Sequence, residues 1–79
     1  MKIQILGTGC AKCTALAQAA SQAAEQLGLA VELEKISDLN QIMAFGVMLT
    51  PALAVDGQVR LVGKVPSVAE LKTLLQQEG

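Results

Sequence analysis

The stretch "TPALAVDGQVRLVG" (residues 50–63) holds two β-rich runs, 52–55 and 58–62, on either side of Asp56-Gly57. A two-residue Asp-Gly loop suits a type I′ turn, whose positive φ angles match the twist of an antiparallel pair. Pro51 stands where a proline is tolerated, at the opening of a strand, since it has no N–H to give to the ladder. Gly63 ends the second run. The segment predicts a β-hairpin.

Reading outward, "VPSVAELKTLLQQ" predicts a closing helix with Ser67 as N-cap and Glu70 three residues later, and with Val68, Leu71 and Leu75 inward. Upstream, "SDLNQIMAFG" predicts a short helix opening on Ser37 or Asp38, with Gln41 three residues after Asp38, and closing on Gly46. "LAVELEKI" (29–36) alternates as a half-exposed strand near an edge, with Leu29, Val31, Leu33 and Lys35 opposite Glu32 and Glu34. From Cys10 to about Leu27, Cys13, Leu16, Ala17, Ala20, Ala24 and Leu27 follow helical spacing, and Gly28 suits a C-terminal cap. Lys2 to Leu6 reads as a first strand, broken by Gly7-Thr8-Gly9. The order is β-α-β-α-β-β-α. Strand, helix and strand in sequence imply a right-handed parallel crossover, and the hairpin adds two antiparallel strands. The expected α/β architecture is a mixed four-stranded sheet with three helices.

At 79 residues the chain is expected to form a single domain over 1–79. Hydrophobic residues make up 52%, yet twelve are alanine and Phe45 is the one aromatic, so the core must be thin and aliphatic. Six basic and seven acidic residues without a charged run argue against a nucleic-acid surface, and Phe45 alone is no base-stacking platform. No apolar run approaches the roughly 18 residues of a membrane span. "MKIQIL" is too short for a signal-peptide core, so a cytoplasmic protein is expected.

Cys10 and Cys13 are the two cysteines, spaced C-x-x-C at the start of the first helix. In a reducing compartment such a pair suits catalysis or metal binding better than a permanent bridge. At a helix start, unpaired N–H groups and the helix dipole favour a Cys10 thiolate. Lys12 in the first turn adds a pKa-tuning cation. Thiols so placed fall from about 8.5 to roughly 3.5–7.5. Cys13 lies on the inner helix face, so Cys10 suits attack on a disulfide and Cys13 suits resolution of the mixed disulfide. Two buried structural cysteines are the bland alternative, poorly matched to a helix opening after Gly-Thr-Gly. Zinc would need four ligands, and the chain has no histidine and no second cysteine pair. Gly7-x-Gly9 imitates a dinucleotide loop, but Lys12 occupies the third glycine position, so sharp turning before Cys10 is the better reading. Two thiolates also suit Cu(I), which keeps a soft-metal carrier as the alternative function.

"GTGCAKC", "GVMLTPALAVDGQV" and "GKVPSVAEL" together resemble the small, glutaredoxin-sized thioredoxin-like family of redox-active disulfide proteins, over nearly the whole chain. The resemblance implies a thioredoxin-like fold and a thiol–disulfide oxidoreductase working through the Cys10–Cys13 couple, with no cofactor and no metal. It implies a cis Thr50–Pro51 bond beside Cys10, with Pro51 shaping the substrate groove and keeping a metal from settling between the sulfurs. The Thr50 backbone would pair with an extended substrate strand, and Met48 and Leu49 would join the docking surface. Implied partners are a disulfide-bearing protein or small thiol substrate and a reductase. Heavy-metal-associated domains place Met-x-Cys-x-x-Cys similarly. Here Thr8 stands at the methionine position, and the predicted order ends on a helix rather than a strand. Glutaredoxins carry a double glycine near the last helix that helps hold glutathione; here Gly63 is followed by Lys64.

Overall fold

The computed structural model describes residues 1–9 and 11–78. Its elements follow the predicted order: β1 (Lys2–Leu6), α1 (Ala11–Leu27), β2 (Glu32–Ile36), α2 (Leu39–Ala44), β3 (Ala52–Val55), β4 (Gln58–Val62) and α3 (Val68–Glu78). The strands form one mixed sheet in the order β2-β1-β3-β4. β1 pairs parallel to β2 and antiparallel to β3, and β3 pairs antiparallel to β4. Every residue of β3 is buried, with Leu53 and Val55 pointing to one face and the small Ala52 and Ala54 to the other.

Strand alternation splits the core in two. Ile3, Ile5, Leu53, Val55 and Leu61 point to one face, where Leu16 and the alanines of α1 meet Leu71 and Leu75 of α3. Leu6, Ile36 and Ala52 point to the other and meet Ile42 of α2 together with Val47. Each fully buried Leu or Ile side chain contributes about 2 kcal/mol relative to exposure. On α1, Cys13, Leu16, Ala17, Ala20 and Ala24 are buried as their spacing predicts, joined by Ala23. Leu27 and Val68 are only partly buried, at the rim of the first core.

The element ends show their causes. Gly28, at φ +69°, closes α1 as its N–H donates to Glu25 O and the Leu29 N–H donates to Ala24 O, the paired bonds of a Schellman cap. Asp38, not Ser37, caps α2, accepting from the Asn40 N–H at 2.9 Å. Asp56 and Gly57 both have positive φ, as a type I′ turn requires. Asp56 also bridges to Lys2 through its N–H and its carboxylate, tying the hairpin turn to the start of β1.

β2 is shorter than the expected 29–36. Lys2, where β1 begins, pairs with Glu32, so residues 29–31 run past the last position that offers a ladder partner. At that edge the Gln4 amide donates to Glu34 at 3.1 Å and Lys2 lies 3.4 Å from it. The Gln4 hydrogen bond is the main cause holding the Glu34 carboxyl below its ordinary value; partial desolvation opposes it and the Lys2 charge assists.

Ser67 and Glu70 form a reciprocal capping box: Ser67 Oγ accepts from the Glu70 N–H at 3.2 Å, and Glu70 Oε1 accepts from the Ser67 N–H at 3.3 Å. Ser67→Ala is expected to lower the unfolding free energy by about 1 kcal/mol, and Ser67→Asp to retain most of it. Urea denaturation checks both.

Candidate active site

Three chain segments converge on Gly7, at the end of β1. The strand ladder holds it in place, since its N–H donates to Ile36 O at 2.9 Å. A β-carbon built on Gly7 would collide with Cys13 Sγ, and would lie 3.3 Å from Cys13 Cβ and 3.9 Å from Pro51 Cα. The absence of a side chain at Gly7 is therefore what admits Cys13 and Pro51 to the same spot. Its φ is not in the left-handed region; Gly9, at φ +88°, supplies the turn before the helix. Of the two glycines read as turn formers, one turns the chain and the other makes room. The signal for the second role was faint: a residue without a side chain where a strand end must lie against the first turn of a helix.

Cys13 is 6% exposed on the inner face of α1. Cys10, the expected nucleophile, lies outside the described residues. Beside Cys13 opens a cavity of about 180 Å³, lined among others by Ile5, Gly7, Thr14, Lys35 and Ser37. Lys35 reaches this place because its register partner is Ile5, one step from the end of β1.

Across from Cys13, the Thr50–Pro51 bond is cis and Pro51 is buried, while Thr50 is exposed. Pro51 O accepts from the Gly63 N–H at 2.7 Å, which fastens the α2–β3 loop to the end of β4. Neither the N–H nor the C=O of Thr50 has a hydrogen-bond partner among the described residues. Met48 and Leu49 are 95% and 64% exposed. A β-carbon at Gly63 would lie 3.4 Å from Leu49 Cδ1, so Leu49 rests over that glycine.

A second, shallower groove of about 500 Å³ runs along the start of α1, between Ala11, Lys12 and Ala15 on one side and Gly63, Lys64 and Val65 on the other. Lys12, expected to tune the thiol, is exposed on this groove. Lys64 and Val65 were not among the expected site residues, and only the fold brings them opposite Lys12. The structure thus gathers Cys13, Lys12, Met48, Leu49, Thr50 and Pro51 at one end of the sheet. Among the described residues no group of three metal-ligating side chains occurs, and no helix is long and apolar enough to cross a membrane.

This mixed sheet, flanked by two helices on one face and one on the other with a helix-borne cysteine facing a cis proline, is the architecture of a thioredoxin-like redox protein. The chain belongs to the thioredoxin-domain family, whose model matches residues 1–76, and it is accordingly a thiol–disulfide oxidoreductase. It is 47% identical over 75 residues to a thioredoxin of Methanothermobacter thermautotrophicus, covering 95% of this chain and 97% of the relative. It is 40% identical over 74 residues to a thioredoxin of Methanocaldococcus jannaschii, covering 94% and 85%.

Because a methyl group at residue 7 would occupy the space of Cys13 Sγ, Gly7→Ala is expected to destabilise the fold by about 1–3 kcal/mol through overpacking. Adding Cys13→Ala should recover much of that loss. A double-mutant cycle read by urea denaturation checks the coupling.

Proposed function

We propose that the chain acts as one domain over residues 1–79 in the cytoplasm and reduces disulfides with Cys10 as nucleophile and Cys13 as resolving thiol. The observation that carries the reading is the meeting of Cys13 with Pro51 at Gly7. It brings the first turn of α1 against a loop whose Thr50 backbone has no partner among the described residues. The Cys10 thiolate attacks one substrate sulfur, forming a mixed disulfide and releasing the other sulfur as a thiolate. Cys13, having lost its proton, attacks Cys10 Sγ; the Cys10–Cys13 disulfide forms and the second substrate thiolate leaves. The two electrons of the dithiol have then passed to the substrate. A reductase, or dithiothreitol in an assay, returns two electrons and two protons to the pair.

Each residue has a part in this scheme. Lys12 favours the Cys10 thiolate from the first turn of α1. Burial of Cys13 leaves Cys10 as the point of first contact. Thr50 offers an N–H and a C=O to an extended substrate segment, the manner in which exposed strand edges capture peptides, and Met48 and Leu49 give that segment apolar contact. Pro51 walls the groove and keeps a metal from settling between the sulfurs. The copper(I)-carrier alternative draws no support from the family model or from the thioredoxin relatives.

Cys13→Ser, mixed with an oxidised model protein such as insulin, should accumulate an adduct through Cys10 that mass spectrometry detects. Cys10→Ser should form none. Absence of the adduct, together with a wild type that reduces no model disulfide, would sink the reading. Replacing both Met48 and Leu49 by serine is expected to lower kcat/KM for insulin reduction about ten-fold, or ~1.4 kcal/mol, chiefly through a higher KM.

A further inference from the structure

The groove lined by Ala11, Lys12, Ala15, Gly63, Lys64 and Val65 has an apolar floor and two cations, with no carboxylate among its described lining residues. This is notable in a chain whose net charge is −1. Four carboxylates are engaged elsewhere. Asp56 accepts from the Lys2 N–H, at the far end of β1 from Gly7, and Glu34 is held by Gln4 and Lys2. Asp38 and Glu70, nearer the site, are engaged in helix caps. No described group forms an ion pair with Lys12 or Lys64. The charged groups that line this groove are thus both positive, although the whole molecule is slightly acidic.

We propose that this groove takes an acidic stretch of a protein substrate, flanking the disulfide under attack; the proposal rests on Cys10 as nucleophile. Charge complementarity selects an anionic occupant, since lysines facing a groove steer and orient opposite charge. The neighbouring surface selects a protein chain over a small disulfide. Leu49 lies against Gly63, which makes exposed Met48 and Leu49 continuous with the groove. The Thr50 backbone, without a hydrogen-bond partner among the described residues, borders the same surface and matches an extended peptide. A disulfide compound of a few atoms could not cover the groove, the two apolar side chains and the Thr50 backbone together.

The test uses the full chain, pre-reduced with dithiothreitol and desalted, in single turnover. Its substrates are two peptides of equal length with one internal disulfide, flanked by glutamates in one and by lysines in the other. The acidic peptide should react roughly five-fold faster at ~20 mM ionic strength. The preference should shrink below about two-fold at ~0.5 M, where the Debye length is about 4 Å. Lys64→Glu should bring the ratio to about one, and Lys12→Glu with Lys64→Glu should invert it. Both rates are measured on the same thiol, so any change in Cys10 reactivity cancels from the ratio. Lys72→Glu, the same charge change on α3 outside the groove, should retain most of the wild-type preference.

A wild-type ratio near one, a ratio untouched by Lys64→Glu, or an equal loss with Lys72→Glu overturns the proposal. So does a stronger charge preference between the small disulfides dithiodiglycolate and cystamine than between the peptides. Reduction of neither peptide overturns the oxidoreductase reading along with it, whereas equal reduction of both overturns this proposal alone.

Discussion

Much of this molecule depends on the missing side chain at Gly7. The end of β1, the first turn of α1 and the cis-proline loop approach so closely there that no β-carbon fits against Cys13 Sγ. That approach sets where α1 begins to cross the sheet. It also brings a cysteine and a proline that are distant in sequence to one backbone position. Close-packed interiors respond to even one added methylene. The geometry of the site is therefore inherited from core packing, not assembled on a mobile loop.

The alanine-rich face of α1 serves the same end. Ala17, Ala20, Ala23 and Ala24 are all nearly or fully buried, and Leu16 is the one large residue among them. Short side chains on the helix, with Ala52 and Ala54 on β3, keep the layers near enough for a small chain to enclose two cores. The sheet divides the labour. One face holds α1 and α3 and most of the buried aliphatic volume, while the other holds α2 and the loop that leads to Pro51. Both faces thus contribute to placing the site, since α1 delivers Cys13 and the opposite side delivers the proline.

The element order was legible because its punctuation is strong. Asp56-Gly57, Gly28, the Ser67–Glu70 pair and the alternation in β1 each carry a local physical signal. The start of β2 was not legible, because it depends on where β1 begins, and nothing within residues 29–36 encodes that. Leu27 and Val68 fit the helical spacing yet sit at the rim, since periodicity gives direction on a helix and not depth in a core. Of the candidate site, Cys13, Thr50 and Pro51 could be found from motif and resemblance. Lys64 and Val65 could not, because their meeting with Lys12 is a product of tertiary structure alone.

The register of β3 with β4 has one irregularity. Leu53 faces Leu61 and Ala54 faces Val59, so Arg60 is an extra residue on the outer strand. This bulge reverses the strand's parity, which lets Leu61 join the core beneath α1 and α3 while Val59 packs toward α2. It also interrupts the free edge of the sheet, since a bulge twists the strand and spoils an even row of donors and acceptors. At the opposite edge, β2 presents Glu32, Glu34 and Lys35. Both borders are thereby poor templates for another strand, so the flanks of the sheet discourage the backbone pairing with a foreign chain that leads to aggregation.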